Sequence, residues 1–246
     1  MDSFDLPFER ALEGVDQVAS MDAMTPFLRE MIAPYGLNHI VYHAAHLPGL
    51  PGSHPLLLLT YPPAWINHYF EKDYFGIDPV VAEAARSILP FDWDRLGRWS
   101  SQVRTFFGES IEAGVGRHGL TLPVRGPGGE RALVSITSEA SDHDWTLLRV
   151  RYMRDFQILA HFIHARAMQL SGEATAHEMR RLSPRERQCL EMLAAGYRPK
   201  RIAHALGLSE RVVRLYLDSA RHKLVAVNLH HAVARAVALG IVAPVV

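Results

Sequence analysis

The sequence predicts an α+β domain followed by a smaller all-α domain. In the first 170 residues, strand-like and helix-like segments are mixed without regular alternation, which favours an antiparallel sheet covered by helices. Residues 182–241 contain four short helical segments with clear start and stop signals. The stretch 171–181 is polar and has no apolar stripe. We therefore expect domains at 1–170 and 177–246, joined by a linker at 171–176.

Composition indicates a globular protein with no membrane span. The chain has 246 residues, of which 48% are hydrophobic and 21% charged. It contains no run of about 18 apolar residues and no basic-then-apolar leader at its start. A single cysteine excludes an internal disulfide and fits a reducing compartment. We expect a cytoplasmic location.

Charge is distributed unevenly between the two predicted domains. Residues 176–246 hold 12 Lys and Arg against 5 Asp and Glu, whereas residues 1–175 hold 14 against 21. Such asymmetry is typical of a chain in which one part meets a polyanion and the other does not. The basic half is the one with the short helices, which favours nucleic-acid binding there.

The elements of the first domain follow from apolar spacing and from Pro/Gly punctuation. A helix over 21–32 precedes strands at 39–44 and 56–61, which a Pro/Gly-rich loop at 46–55 joins. Further segments are predicted in this order: helices beginning at Pro63 and Pro79, a helix over 102–112, strands at 120–124 and 132–137 joined by a GPGG turn at 126–129, and a long helix from Asp142 to about Ser171.

The segment 60–79 is rich in aromatic residues and ends in Asp78-Pro79. Trp65 and Tyr69 are four residues apart, so one helix face would carry both into a core. Asp78 directly before a proline is a good helix N-cap. Packing and capping alone would account for these residues one at a time.

The second domain opens with a helix whose start and end are both marked. Ser183 is placed to cap it, Pro184 follows at the first helical position, and Glu186 completes a capping box. Gly196 is placed to end the helix in a left-handed conformation.

The next two helices are separated by a tight turn. A helix over 199–206 ends at Gly207, and Ser209 is placed to cap a helix over 210–223. This is the spacing of a helix-turn-helix, in which the later helix lies in the DNA major groove. The inward-facing set is Val212, Val213, Leu217, Ala220 and Leu224, and Arg211, Arg214, Asp218 and Arg221 are left facing out. An ordinary helical domain with a solvated basic face is the alternative.

Residues 182–241, with LSPRERQCLEMLAAG and KRIAHALGLSERVVRLYL, resemble the DNA-binding domain of LuxR-type transcription factors. Glu186, Leu190 and Gly196 stand at hallmark positions of that family. The resemblance implies that the outer face of the third helix reads bases. The DNA-contacting set that we expect is Ser209, Arg211, Arg214, Leu215, Asp218, Arg221 and Lys223.

The first domain resembles the autoinducer-binding domain of the same family through Tyr61, Trp65, Tyr69 and Asp78-Pro79, together with Trp93 and Gly119. The resemblance implies an α/β/α sandwich that binds an N-acyl-homoserine lactone. Trp65 would donate to the lactone carbonyl and Asp78 would accept from the amide. Tyr61 and Thr137 would donate to the acyl carbonyl. The remaining lining residues would be Tyr69, Val80, Trp93, Phe106 and Val115.

The same resemblance implies a homodimer that binds double-stranded DNA and works with RNA polymerase, without a cofactor. An enzyme is disfavoured, since the sequence has no G-x-S-x-G or H-E-x-x-H motif. The 14 histidines show no metal-ligand spacing. A ligand-independent regulator whose sensor domain has lost its pocket stays open, because Arg98, Arg117 and His118 lie near the pocket-forming segments.

Overall fold

A computed structural model of the chain describes residues 6–46, 55–97, 100–126, 130–175 and 182–243. Most of the predicted loop at 46–55, most of the turn at 126–129 and the region 176–181 lie outside the described residues. The chain divides into two compact units, and the boundary between them along the sequence follows Ser171.

The first unit is built on a five-stranded antiparallel sheet with the order β2-β1-β5-β4-β3. The strands are β1 (His39–His46), β2 (Leu56–Leu59), β3 (Phe91–Asp92), β4 (His118–Arg125) and β5 (Arg131–Ser138). In the register, Val41 lies opposite both Leu59 and Ser135, and His43 lies opposite both Leu57 and Leu133. Because side chains alternate along a strand, these residues share one face of the sheet.

Helices lie on both faces of this sheet. They are α1 (Leu6–Gln17), α2 (Met21–Glu30), α3 (Ile32–Tyr35), α4 (Pro63–Glu71), α5 (Pro79–Arg86), α6 (Ser101–Glu112) and α7 (Asp142–Thr175). Residues of α4, α5 and α6 face the side that carries Val41 and Ser135. On the opposite side, the hydroxyl of Tyr42 is 2.9 Å from Nδ1 of His164 on α7. The predicted sandwich of helices around an antiparallel sheet is confirmed.

Several features of this unit differ from the predicted elements. The sequence analysis does not predict the short strand β3, and the helix that it predicts over 21–32 is divided between α2 and α3. The sequence analysis predicted no helix before residue 21, yet α1 forms and buries Ala11 and Val15. Helix α7 continues to Thr175. Residues 171–175 of the proposed linker are therefore helical.

The second unit consists of α8 (Pro184–Ala194), α9 (Pro199–Leu206), α10 (Glu210–Lys223) and α11 (Leu229–Ala238). Its first helix begins with the predicted capping box, in which Ser183 and Glu186 each accept a hydrogen bond from the other's backbone N–H. Gly196 and Gly207 both have left-handed backbone conformations, with φ of 82° and 64°.

The core of the second unit forms from the apolar faces of all four helices. Val213, Leu217, Ala220 and Leu224 of the predicted inward set are buried, whereas Val212 is half-buried. This unit has the predicted four-helix architecture. Within the described ranges of the chain, no helix is both long enough and apolar enough to cross a membrane.

Candidate functional site

A cavity of about 410 Å³ lies in the first unit, between the sheet and helices α4, α5 and α6. Its volume is in the range of small-molecule sites. Eight of the nine residues predicted to bind a ligand line it, and Thr137 does not. The eight are Tyr61, Trp65, Tyr69, Asp78, Val80, Trp93, Phe106 and Val115.

One wall of the cavity is a packed aromatic cluster. The indole of Trp65 lies 5.8 Å from the ring of Phe106 and 6.2 Å from the ring of Tyr69, measured between centroids. Tyr74 closes the back of the cluster against Phe106 at 5.2 Å. Tilted and edge-on contacts of this kind favour a rigid wall. The cavity is therefore largely apolar and has a defined shape.

Asp78 is the acidic group of the cavity, and it also caps α5. Its Oδ1 accepts from the backbone N–H of Val80 at 2.8 Å and of Val81 at 3.4 Å. Its Oδ2 accepts from the hydroxyl of Tyr69 at 2.9 Å. Burial raises the pKa of Asp78, and these hydrogen bonds oppose that rise. The capping role expected from Asp78-Pro79 is confirmed, and the carboxylate still faces the cavity with acceptor capacity to spare.

Two donors around the cavity are not used by the protein itself. The indole N–H of Trp65 and the hydroxyl of Tyr61 make no hydrogen bond to any residue that the structure describes. Burial, and to a lesser extent the charge of Asp78, raises the pKa of Tyr61, so that its hydroxyl stays protonated. Both groups are therefore available to a ligand.

The hydroxyl of Thr137 is committed elsewhere, because it donates to the backbone carbonyl of Val115 at 2.5 Å. Ser135 lies two residues earlier on the same face of β5 and lines the cavity instead. The sequence analysis did not select Ser135. The alternation of side chains along β5 puts both residues on the cavity face, and only the position of the Val115 carbonyl distinguishes them.

Ser135 ends a chain of hydrogen bonds that starts at Trp93. The indole N–H of Trp93 donates to Oγ1 of Thr121 at 2.8 Å, and Oγ1 of Thr121 lies 2.7 Å from Oγ of Ser135. Thr121 is fully buried, and among the described residues its hydroxyl has no other acceptor. Its hydrogen must therefore go to Ser135, because the indole nitrogen cannot accept. The hydrogen of Ser135 is left for the cavity.

The alternative of a sensor domain without a pocket rests on three basic residues, Arg98, Arg117 and His118. Those of the three that the structure describes do not occupy the cavity. Arg98 lies outside the described residues. Arg117 is exposed, and His118 stacks on Trp145 with ring centroids 5.2 Å apart. Neither Arg117 nor His118 lines the cavity.

The outer face of α10 presents a mixed polar and apolar surface. Arg211, Arg214, Leu215 and Asp218 border a shallow depression together with Glu210. Leu215 is 62% exposed. Arg214 forms an ion pair with Glu210 at 2.6 Å. Arg211 makes no hydrogen bond to a residue within the described ranges.

The other three residues predicted to contact DNA make contacts inside the second unit. The hydroxyl of Ser209 caps α10 by accepting from the N–H of Val212. Arg221 donates to Asp218 at 2.8 Å and to the carbonyl of Ala226 at 3.2 Å.

Lys223 donates to the buried carboxylate of Glu186 at 2.7 Å. Burial opposes ionisation of Glu186, but hydrogen bonds from Lys223, from Ser219 and from the Ser183 backbone outweigh it and lower the pKa to about 2. Lys223 thus holds the end of α10 to the start of α8.

Comparisons with known proteins identify both units. Residues 20–167 match the model of the autoinducer binding domain, and residues 180–236 match that of the bacterial regulatory proteins of the luxR family. The transcriptional activator RaiR of Rhizobium etli is 51% identical over 178 residues, which cover 72% of this chain and 74% of RaiR.

Two further proteins align over nearly the whole chain. The transcriptional activator VanR of Vibrio anguillarum is 28% identical over 243 residues, covering 96% of this chain and 97% of VanR. The crystal structure of Escherichia coli SdiA has a TM-score of 0.74 at 20% identity, covering 98% of this chain and 99% of that one. The likeness to SdiA concerns the fold. The chain belongs to the LuxR family of transcriptional regulators, which are not enzymes, and it joins an autoinducer binding domain to a DNA-binding helix-turn-helix domain.

Proposed function

We propose that this regulator binds an N-acyl-homoserine lactone in the cavity of its first unit and that it responds by binding promoter DNA as a dimer. The observation that carries the proposal is the set of polar groups around one apolar cavity. Trp65 and Tyr61 offer unused donors, Asp78 offers an acceptor, and Ser135 offers a hydroxyl whose hydrogen is free. Such a site is selective for a ligand with a short polar head and an apolar tail.

The head group of an acyl-homoserine lactone complements these groups. Its ring carbonyl accepts from the indole N–H of Trp65, and its amide N–H donates to Asp78 in a charge-assisted bond. Its amide carbonyl accepts from Tyr61 and Ser135. Thr137 takes an indirect part in this arrangement, by fixing the segment at Val115 that forms part of the cavity wall. Val41, Leu57, Leu59 and Leu133 of the sheet contact the acyl chain.

In the second unit, α10 is proposed to lie in the DNA major groove. Arg211 and Arg214 are exposed on its outer face, where they reach base edges or phosphates. Leu215, exposed between them, suits contact with a thymine methyl group. Ser209, Asp218, Arg221 and Lys223 shape and hold this helix. These four residues are proposed to contribute to recognition by positioning α10.

A homodimer is supported by exposed apolar residues on α7. Leu147, Val150, Ile158 and Phe162 are all exposed, and their spacing places them on one face of this helix. In the second unit, Val225 and Val227 are exposed next to α11. A second copy would cover these residues, as symmetric dimers of DNA-binding proteins do. A cytoplasmic location and contact with RNA polymerase belong to the same proposal, supported by the transcriptional activators among the relatives.

Ligand binding would regulate the protein by mass action. A ligand that binds only the folded or dimeric state stabilises it by RT ln(1 + [L]/Kd), about 2.7 kcal/mol at a hundredfold excess over Kd. That energy is enough to shift a marginal equilibrium almost completely towards the DNA-binding state. No catalytic step is needed.

The test is a titration of the purified full-length protein with a panel of acyl-homoserine lactones, followed by thermal melting and by DNA-binding assays. Tyr61→Phe and Trp65→Phe each remove one proposed donor while they keep the aromatic wall. Each is expected to weaken binding roughly 5- to 30-fold, the equivalent of about 1–2 kcal/mol. Tyr35→Phe is the control, because Tyr35 packs against Phe156 of α7 rather than in the cavity. Failure of every lactone to raise the melting temperature would overturn the proposal.

A further inference from the structure

His43 is a polar side chain in an apolar part of the cavity wall. It lies on β1 between Leu57 of β2 and Leu133 of β5, and all three line the cavity. Its ring is 5.7 Å from the ring of Phe75, centroid to centroid. Only 4% of its surface is exposed. A leucine or valine would fill this position without leaving a buried polar atom.

The imidazole of His43 has an unmet hydrogen-bonding need. Its Nε2 is buried and has no partner among the described residues. Buried polar atoms in folded proteins are nearly always paired, so an unpaired one at the wall of a cavity points to a group supplied from outside. Burial also lowers the pKa of His43 to about 4. The ring is neutral at physiological pH and presents one donor and one acceptor.

The register of the sheet separates His43 from the polar groups proposed to hold the ligand's head. Ser135 lies opposite Val41, and His43 is two residues further along β1. That separation is about 7 Å along the strand. His43 lies between Leu57 and Leu133, which contact the acyl chain in the proposed binding mode, so in that mode it meets the acyl chain as well.

We propose that His43 selects signals whose acyl chain carries an oxygen substituent, a hydroxyl or a keto group, over signals with a plain alkyl chain. The inference rests on the proposed function, since it assumes that an acyl-homoserine lactone occupies the cavity. A neutral imidazole donates to a keto oxygen, and it either donates to or accepts from a hydroxyl. A plain chain would leave Nε2 buried and unpaired, and a site built around a polar group discriminates against a ligand that lacks its counterpart.

The experiment compares lactones of one chain length that differ only in the chain oxygen. The full-length protein is titrated with octanoyl-, 3-oxooctanoyl- and 3-hydroxyoctanoyl-homoserine lactone, and with octanoyl chains hydroxylated further along. We expect at least one oxygenated lactone to bind about tenfold more tightly than the plain one, the gain of one buried hydrogen bond. In His43→Leu, all chains should bind within about twofold of one another.

Two variants make the result specific. His43→Asn keeps a donor and an acceptor on a shorter side chain. It should show part of the preference for oxygenated chains that His43→Leu loses. Leu58→Met changes the next residue of β2, which lies on the opposite face of the sheet and does not line the cavity, and the full preference should remain. Thermal melting of each variant without ligand checks that it is folded.

The outcomes separate this inference from the function on which it rests. If the wild-type protein binds plain and oxygenated chains equally well, or if His43→Leu keeps the wild-type preference, the role of His43 is wrong and lactone binding stands. Equal binding would mean that water satisfies the imidazole. If none of the lactones binds the wild-type protein, the proposed function fails as well.

Discussion

Replacing Asp78 with Asn should weaken lactone binding without weakening the fold. The amide oxygen of Asn still accepts from the N–H of Val80 and caps α5, because Asn and Asp are equally good N-caps. The amide N–H of the ligand then faces the NH2 group of Asn instead of a carboxylate oxygen, so the charge-assisted hydrogen bond to residue 78 is lost. Hydrogen bonds to a charged group contribute roughly 1.5–3 kcal/mol, so Kd should rise roughly 10- to 150-fold.

The effect on stability should be small, because two contributions oppose each other. Burial raises the pKa of Asp78, so keeping it ionised costs folding free energy at a pH above its ordinary pKa, and Asn removes that cost. With the Asn oxygen capping α5, its amide nitrogen faces the hydroxyl of Tyr69 and cannot accept from it. The free energy of unfolding of Asp78→Asn without ligand should therefore stay within about 1 kcal/mol of the wild-type value at neutral pH. Asp78→Ala loses the cap as well and should be about 1 kcal/mol less stable than the wild type.

Isothermal titration with the tightest-binding lactone and urea unfolding without ligand measure the two quantities independently. Unchanged affinity in Asp78→Asn would refute the assignment of Asp78 as the amide acceptor. Lower affinity together with an equal loss of stability in the free protein would show that Asp78 acts only through the fold.

Three further predictions concern other parts of the chain. Glu186→Gln should lower the free energy of unfolding of the second unit by about 1–3 kcal/mol in urea titrations at neutral pH. The pKa of Glu186 is lowered to about 2, so the extra stability of the wild-type protein over Glu186→Gln should disappear as the pH falls from about 4.3, the ordinary pKa of a glutamate, towards 2. A difference in the free energy of unfolding that persists at pH 2 would contradict this. Arg211→Ala should weaken DNA binding and reduce the slope of log affinity against log salt by about 1 in fluorescence anisotropy titrations, if it contacts a phosphate; an unchanged affinity and slope would remove it from the interface. Gly119→Ala should lower both the melting temperature and the affinity for a lactone, since a Cβ there would overlap the indole of Trp93, and wild-type behaviour in both assays would contradict that packing.

Local signals made the second unit predictable from the sequence. Ser183 and Glu186 three residues apart specify a capping box, and Gly196 and Gly207 end helices where only a residue tolerant of positive φ is comfortable. These motifs act within one turn of the chain. The contact between Lys223 and Glu186 spans 37 positions, and no local pattern signals it. The DNA contact that the sequence analysis expects for Lys223 stays a prediction.

The cavity was predicted less completely, since its polar groups depend on distant backbone. The aromatic segment identifies Trp65, Tyr69 and Asp78, whose spacing is set within one stretch of chain. Thr137 and Ser135 are equivalent in the alternation of β5, and the carbonyl of Val115 decides which hydroxyl is free. Helix α1 does carry an apolar stripe at helical spacing, formed by Phe8, Ala11, Leu12 and Val15, so the signal for it was present in the sequence and was not used.

The three-membered chain of hydrogen bonds from Trp93 through Thr121 to Ser135 has a direction, because the indole nitrogen can only donate and the buried Thr121 hydroxyl has Ser135 as its acceptor among the described residues. Thr121 therefore occupies one lone pair of the Ser135 oxygen, while the hydrogen and the second lone pair remain for a guest. A guest carbonyl can take that hydrogen without breaking any bond of the chain. The indole of Trp93 thus favours such a guest through Ser135, in addition to lining the cavity itself.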